Sequence, residues 1–306
     1  MWIQRVSLRQ LRVFEMVAAQ GSFSRAAKQM HMTQPGVSMH LRELESQTGV
    51  ALFERLGRRL ELTEAGRELL GRAREVLRAL DAAEEALDAL KGLRRGHLEI
   101  AVVSTAKYFA PRLLASFRAK YPETEIRLAV SNRSQVIELL TTNSVDLAIM
   151  GRAPESLNVT AVPFAEHPHV VIAAVGHPLA ADRAIDPTRF LGERFIAREP
   201  GSGTRLAMEQ FFRERRLAIR IDMEMASNET IKQAVMAGMG LSFISRHTID
   251  LEVATARIAV LDVRGLPVVR HWHVTHLANK RLTPLAEEFK RYALAEGPAL
   301  LAATVP

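Results

Sequence analysis

The residues best placed to do chemistry in this sequence lie between Ser22 and Arg59. Gln34, Ser38 and Arg42 recur every four residues, so on a helix they share one face, with Pro35 between the first two. On such a face glutamine can pair with adenine, arginine with guanine, and a proline or serine can press against a thymine methyl group. A helical hairpin within a bundle would show the same pattern, and this stretch alone leaves that alternative open.

Three predicted helices position these side chains, at residues 7–20, 24–30 and 33–48. Ser24 and Thr33 are the predicted N-caps of the second and third helices, and Gly49 ends the third. The predicted inward-facing residues are Leu8, Leu11, Phe14 and Val17, then Phe23, Ala26, Ala27 and Met30, then Val37, Leu41 and Leu44.

A basic loop follows the third helix. Leu52 and Phe53 are expected to anchor a turn, and residues 60–62 to form a short strand. Arg55, Arg58 and Arg59 then lie near the tip of a hairpin, where they could hold phosphates beside a groove. A solvated basic loop is the alternative.

A long helix is predicted from its cap, Thr63, to about Lys91. Its apolar residues are spaced alternately by four and three, a heptad pattern typical of a coiled coil. They are Leu69, Ala73, Val76, Leu80, Ala83, Leu87 and Leu90. One chain cannot bury such a seam alone, so we expect a homodimer and an interrupted palindrome as its DNA site. Packing of this helix on the chain's own second domain is the alternative.

From residue 97 onward, strand and helix patterns alternate, which predicts a parallel sheet covered by helices. The expected strands are residues 97–103, 125–131, 146–150, 159–165, 170–175, 195–197, 219–226, 241–244 and 271–277. Residues 92–96 (GLRRG) are expected to form a hinge between the long helix and the first of these strands.

Polar turns follow several of these strands and open helices, where ligands bind in sheets of this kind. Their hydroxyl, amide and cationic groups suit a small anionic ligand, although helix capping explains many of them equally well. The candidate ligand-binding residues are Ser104, Thr105, Lys107, Asn132, Arg133, Ser134, Arg152, Ser202, Thr204, Arg205, Asn228, Glu229 and Thr230.

Composition excludes several functional classes. The 306 residues carry a net charge of +7 and no cysteine, which rules out thiol catalysis and disulfides and fits a cytoplasmic protein. Residues 1–62 hold nine basic against five acidic side chains, the densest excess in the chain and one that favours a polyanion. No membrane span, signal peptide, phosphate-binding loop, metal site or catalytic constellation is apparent, so neither an enzyme nor a cofactor is expected.

Several runs together resemble the LysR-type transcriptional regulators: the paired alanines of AAKQM, TQPGVS, LESQTGVALFER and LTEAG. The resemblance implies a winged helix-turn-helix at residues 1–62, a dimerising linker helix at 63–92, and an α/β effector domain resembling periplasmic binding proteins at 93–306. That domain would have two subdomains, residues 97–166 with 277–306, and residues 167–276, joined by crossings near 164–170 and 274–278.

The same resemblance implies that Ser24, Thr33, Gln34, Pro35, Ser38, Met39 and Arg42 position or read DNA, with the hairpin arginines on phosphates. It also implies a dimer or a tetramer of two dimers, activation of a metabolic operon with possible contact to RNA polymerase, and repression of the protein's own gene. The runs MGRAPE, GHPLA, REPGSGTR and AGMGLSFISRHT resemble the subgroup that controls carbon-fixation operons, whose implied effectors are phosphorylated sugars, phosphoenolpyruvate or NADPH. A solute-binding protein for transport and an α/β enzyme with a DNA-binding head are the alternatives.

Overall fold

The computed structural model describes residues 5–56, 59–90 and 96–302. The chain divides into two compact units: residues 1–93 with 141–144, and residues 94–140 with 145–306. We call them the N-terminal and the C-terminal unit. None of the described helices is long and apolar enough to cross a membrane.

Three short helices open the N-terminal unit: α1 (Leu8–Gln20), α2 (Phe23–Gln29) and α3 (Gln34–Thr48). Ser7 caps α1 in a capping box with Gln10. Ser22 caps α2 by accepting the Arg25 amide, so the prediction of Ser24 as the cap was wrong. The reason is that Phe23 already has helical geometry, which starts the helix one residue before the predicted boundary and puts Ser24 inside it.

The cores of α1 and α3 largely match the predicted inward faces. Val37, Leu41 and Leu44 of α3 are buried, as predicted, and Gly49 ends the helix in the left-handed region at φ 76°. Leu8, in contrast, is the first residue of α1 and is 46% exposed.

A β-hairpin follows, with β1 (Phe53–Leu56) antiparallel to β2 (Arg59–Leu62). Phe53 therefore lies in a strand rather than in the predicted turn, and its ring packs edge-on against Phe14 with 5.5 Å between centroids. Glu45 near the end of α3 accepts the backbone amides of Leu52 and Phe53 at 2.7 and 3.3 Å, which fastens the hairpin to that helix.

The long helix α4 (Glu64–Leu90) begins after Thr63, whose hydroxyl accepts the Gly66 amide. Leu70, Ala73 and Leu77 are buried against α1–α3 and the hairpin. Of the predicted seam only Ala73 is among these buried residues, because the N-terminal core selects a neighbouring stripe of the helix. Leu69 is half-buried beside the same core, and Val76, Leu80, Ala83 and Leu87 are exposed. The Leu90 side chain and the predicted hinge up to residue 95 lie outside the described residues.

The C-terminal unit alternates strands and helices as predicted. Its strands are β3 (Gly96–Val103), β4 (Thr124–Ser131), β5 (Leu147–Met150), β6 (Val159–Ala174), β7 (Arg194–Arg198), β8 (Arg220–Met225), β9 (Ser242–Ser245), β10 (Ile258–Val260) and β11 (Val268–Leu277). Its helices are α5 (Ala110–Lys120), α6 (Arg133–Thr141), α7 (Gly203–Glu214), α8 (Asn228–Met236), α9 (Asp250–Ala254) and α10 (Pro284–Ala302).

Two subdomains share the strands β6 and β11. In subdomain I, β3 pairs in parallel with β4 and β5, and β11 joins β5 in antiparallel fashion. In subdomain II, β9 and β10 pair with the second half of β6, and β7 pairs in parallel with β8. β11 pairs with β5 of subdomain I over residues 273–275. The chain therefore passes from subdomain II into subdomain I before residue 273, upstream of the predicted crossing at 274–278.

The strand β6 is continuous, whereas the sequence predicted two strands separated by prolines. A proline donates no ladder hydrogen bond, which is why Pro163 and Pro168 suggested an interruption. Both prolines lie opposite residues of β11 in the ladder. Next to Pro163 the pairing register shifts, because Trp272 lies opposite Ala165 and His273 opposite Pro163. Each subdomain has its own aromatic core, centred on Phe117 and Phe289 in subdomain I and on Phe195 and Phe212 in subdomain II.

Candidate nucleic-acid interface and ligand pocket

The helix α3 presents its polar face to solvent. Gln34, Pro35, Met39 and Arg42 are exposed and Ser38 is half-buried. These five residues and Glu43 line one shallow surface groove. Thr33 caps the helix, as predicted, because its hydroxyl accepts a hydrogen bond from the Gly36 amide at 3.3 Å.

The hairpin supplies exposed cations beside this unit's helices. Arg55 lies on β1 opposite Leu60, and Arg59 lies on β2 opposite Leu56. Both arginines are exposed. Arg58, which was predicted to act with them, lies outside the described residues. Ser24, within α2, is exposed, and its neighbour Ser22 provides the cap.

A second site lies in the C-terminal unit, in the cleft between subdomains I and II. The cavity is narrow, about 30 Å³, which is room for one or two water molecules. Six of the thirteen predicted ligand-binding residues line it: Ser104, Thr105, Arg133, Arg152, Ser202 and Thr204. The other lining residues were not predicted: Val103, Met150, Gly151, His167, His169, Arg198, Gly203 and Arg270.

Arg198 is the most deeply buried cation of the pocket, at 3% exposure. Its guanidinium holds both carboxylate oxygens of Glu199, at 2.7 and 2.8 Å. It also donates to Asn228 Oδ1 at 2.8 Å and to Ser104 Oγ at 3.1 Å. Arg198 therefore spans the cleft, since Ser104 belongs to subdomain I and Asn228 to subdomain II.

Three further arginines line the pocket, and each makes fewer hydrogen bonds to the described residues than the four of Arg198. Burial, and then repulsion from Arg152, lower the pKa of Arg133 and likewise that of Arg270. Arg133 donates to the carbonyls of residues 152 and 153, and Arg270 donates to the Gln210 amide oxygen at 2.8 Å. Arg152 pairs with the exposed Glu155. Among the described lining residues there is no acidic side chain, so the cavity favours an anion.

Two buried histidines, His167 and His169, form part of the pocket wall. Burial lowers the pKa of His169 to about 3, and burial followed by the charge of His169 lowers the pKa of His167 well below its usual value. Both rings are therefore neutral at physiological pH. No motif in the sequence signalled them, because they lie on β6 and reach the pocket only through the crossing of that strand.

The remaining predicted residues serve the structure around the cleft. Arg205 is held by Glu209 at 2.6 Å and Glu224 at 3.2 Å. Asn132 caps α6 through the Gln135 amide. Ser134 and Thr230 are exposed, and the Thr230 amide donates to the cap Ser227.

Glu229, by contrast, joins the two subdomains and is not among the residues that line the pocket. It accepts the Tyr108 hydroxyl at 2.6 Å and pairs with Lys107 at 3.7 Å and with Lys232 at 3.0 Å. Burial alone would raise the pKa of Glu229, but the hydrogen bonds from Tyr108 and Lys232 outweigh it and lower that pKa. Lys107 and Glu229 thus close the cleft rather than line it.

Comparison with known proteins settles the family. The description "Bacterial regulatory helix-turn-helix protein, lysR family" matches residues 8–67, and "LysR substrate binding domain" matches residues 91–298. The chain belongs to the LysR family. The winged helix-turn-helix and the two-subdomain α/β domain expected from the sequence are confirmed.

The relatives of this LysR-family protein are regulators of transcription. A "RuBisCO operon transcriptional regulator" from Allochromatium vinosum is 50% identical over 291 residues, covering 95% of this chain and 96% of the relative. The "HTH-type transcriptional activator CmpR" from Synechocystis is 41% identical over 303 residues, covering 99% and 100%. The LysR-family protein is accordingly a transcriptional regulator and not an enzyme, as the sequence predicted.

A solved structure resembles the C-terminal unit of this LysR-family protein. It is the regulatory domain of Synechocystis CcmR in complex with 2-PG, which is 42% identical, with a TM-score of 0.63. The match covers 66% of this chain and 97% of that domain.

Proposed function

We propose that this LysR-family regulator controls a carbon-fixation operon in response to a small phosphorylated carboxylate. The observation that carries the effector class is the cleft lined by Arg133, Arg152, Arg198 and Arg270 without an acidic side chain among the described lining residues. Arginine binds phosphate and carboxylate oxygens through charge-assisted, often bidentate hydrogen bonds. The complex of the CcmR domain with 2-PG (2-phosphoglycolate) supports the same class.

The proposed DNA contacts follow from the exposed face of α3. Gln34 and Arg42 would read bases, and Pro35, Ser38 and Met39, which line the same surface groove, would pack beside them in the major groove. Arg55, Arg59 and the undescribed Arg58 are assigned to phosphates. Thr33 and Ser24 would assist at the helix ends nearest the DNA backbone.

The proposed assembly rests on the uncovered apolar residues of α4. Val76, Leu80 and Leu87 are 46%, 40% and 59% exposed in the single chain and recur at spacings of four and seven residues. Pairing with a second copy would bury them in a coiled coil and hold two α3 helices at a set distance. The target is then an interrupted palindrome, and two such dimers would form a tetramer.

The proposed response is a change in the opening of the cleft. The cavity is too small for a phosphorylated carboxylate as it stands, so binding must part its walls. The contacts of Glu229 with Lys107 and Tyr108 across the cleft oppose that opening. An effector shifts the population only by its greater affinity for one of the two states. That shift would alter contact with DNA and RNA polymerase in the cytoplasm, activating the operon and leaving the protein's own gene repressed.

Calorimetric titration with 2-phosphoglycolate, combined with footprinting of the operon promoter, tests this function. We expect saturable binding and a footprint that changes in length or hypersensitivity when the effector is added. Inorganic sulfate at the same ionic strength is the control for charge alone. Binding only by neutral metabolites, or identical footprints with and without every bound effector, would contradict the proposal.

A further inference from the structure

The most deeply buried cation of the pocket already holds a carboxylate of the same chain. Arg198 and Glu199 are neighbours in sequence, and the guanidinium donates to both Glu199 oxygens, from Nε at 2.7 Å and from Nη2 at 2.8 Å. Two parallel bonds of this kind are the geometry in which arginine binds the carboxylate or phosphate of a ligand. Glu199 therefore occupies an edge of Arg198 that an anionic ligand would use.

The hydrogen bonds of Arg198 leave little of its guanidinium free. An arginine side chain has five N–H donors. Glu199 accepts from two of them, and Ser104 Oγ and Asn228 Oδ1 accept from one each, at 3.1 and 2.8 Å. Among contacts with the described residues, one N–H of Nη1 is left over. A ligand can therefore make two parallel bonds to Arg198 only by replacing one of these partners.

Burial and charge indicate that Glu199 is the partner that leaves. Its side chain is 21% exposed and can turn towards water, whereas that of Arg198 is 3% exposed and must stay compensated. An anion that displaced Ser104 instead would lie beside the negative charge of Glu199. The backbone can stay in place, since the Glu199 carbonyl accepts the Ser202 amide at 3.2 Å. Both serines line the pocket, so the exchange takes place at its wall.

We propose that Glu199 is an autoinhibitory internal anion and that the effector binds by taking its place on Arg198. This rests on the proposed function of the cleft, and it adds the competitor that sets how much effector is needed. One anionic group is exchanged for another, so the buried guanidinium is compensated before and after binding. Ser104 and Asn228 hold Arg198 in position during the exchange.

The test uses the full chain, calorimetry and melting temperatures, with 2-phosphoglycolate and inorganic phosphate as probes. Glu199→Gln keeps the size of the side chain and removes its charge. Glu199→Asp keeps the charge but is one methylene shorter, which weakens its two bonds to Arg198. Glu209→Gln is the matched control, because Glu209 pairs with Arg205 at 2.6 Å and neither of these residues lines the pocket.

We expect Glu199→Gln to bind 2-phosphoglycolate about 10-fold or more tightly than the wild type, the factor of one hydrogen bond to a charged group. Glu199→Asp should gain about half of that free energy, which is about 3-fold. Glu209→Gln should bind as the wild type does. Without ligand, Glu199→Gln should melt at a lower temperature than the wild type, because a buried cation has lost its counter-charge. Each probe should raise the melting temperature of this variant more than that of the wild type.

Two results would overturn the inference while leaving the effector class intact. Tighter binding by Glu199→Gln together with wild-type affinity in Glu199→Asp would mean that net charge alone attracts the effector. Equal or weaker binding by both variants would mean that Glu199 serves only to orient Arg198. Where Glu199→Gln fails to fold, Glu199→Asp decides alone, since a gain in affinity supports the exchange and its absence contradicts it.

Inorganic phosphate separates this inference from the proposed effector class. If 2-phosphoglycolate binds neither the wild type nor any variant, the proposed effector class fails. The internal anion then still stands if phosphate raises the melting temperature of Glu199→Gln more than that of the wild type. An equal response of the two proteins to phosphate would in that case refute both proposals.

Discussion

The exposed face of α3 and the cleft of the C-terminal unit are both suited to anions, but they present their charge in different ways. On α3 and the hairpin, Arg42, Arg55 and Arg59 are exposed and remain hydrated in the free protein. In the cleft, burial and then repulsion from Arg152 lower the pKa values of Arg133 and Arg270. A ligand anion would relieve that unfavourable arrangement, whereas DNA binding at α3, as proposed, would gain mainly from counterion release.

This difference explains how one chain could couple two kinds of recognition. A hydrated basic surface binds many DNA sequences with an affinity that falls as salt rises, and it depends on contacts to bases for its specificity. A desolvated cleft is selective because any ligand must replace the lost solvation of several charges at once. The comparison therefore predicts that substitutions at one site leave the intrinsic affinity of the other site unchanged.

The largest expected effect is on the exposed seam of α4. Leu80→Glu combined with Leu87→Glu places charges in the proposed coiled coil, so the protein should become monomeric. Operator affinity should then fall at least about 100-fold through lost avidity, while 2-phosphoglycolate affinity stays unchanged. Analytical ultracentrifugation and gel-shift assays measure both. Glu84→Gln, also on an exposed part of α4, is the control. If the double variant remained dimeric, the proposed coiled coil would be contradicted.

Arg133→Ala should weaken 2-phosphoglycolate binding about 10- to 100-fold, equivalent to roughly 1.5–3 kcal/mol for a hydrogen bond to a charged group. Operator affinity without effector should stay the same, which sharpens the separation between the two sites. The matched control is Arg127→Ala, since Arg127 is exposed on β4 and pairs with Glu99 and Glu125. Calorimetry that shows equal losses in both variants would mean that Arg133 acts only through net charge.

Gln34→Ala should relax the sequence preference at one base pair by about 1–3 kcal/mol. Arg59→Ala should instead weaken all DNA alike and reduce the slope of log affinity against log salt by about one. Gel shifts with a set of single-base operator variants at two salt concentrations separate the two effects. Unchanged operator preference in Gln34→Ala would remove that residue from the reading face.

The smallest effect concerns stability and pH. Because His169 has a pKa of about 3 in the folded protein and about 6.5 when unfolded, the unfolded chain binds more protons between these values. The contribution of this histidine is present above pH 6.5 and is lost as pH falls toward 3. Between pH 7 and pH 5 it should decrease by about 2 kcal/mol. Urea unfolding of the wild type and His169→Phe at both pH values should show a smaller pH dependence in the variant.

Local patterns predicted much of the N-terminal unit. The Val37, Leu41 and Leu44 stripe, the Thr33 cap and the Gly49 stop each depend on residues within one or two turns of a helix, so the sequence reveals them directly. The same reasoning missed the Ser22 cap by two residues. It did not indicate which stripe of α4 packs on the N-terminal core, because the burial of Leu70, Ala73 and Leu77 depends on where the other helices pack.

The amino-acid sequence by itself determined the family motifs, the alternation of strands and helices, and the polar turns at Ser104, Arg133 and Ser202, because these are properties of short segments. Only the tertiary structure decided which cations meet in one cleft. It brought Arg198 and Arg270 into the pocket and turned Arg205 toward Glu209 and Glu224. The physical reason is that β6 and β11 cross between subdomains, so residues far apart in the chain share one desolvated space.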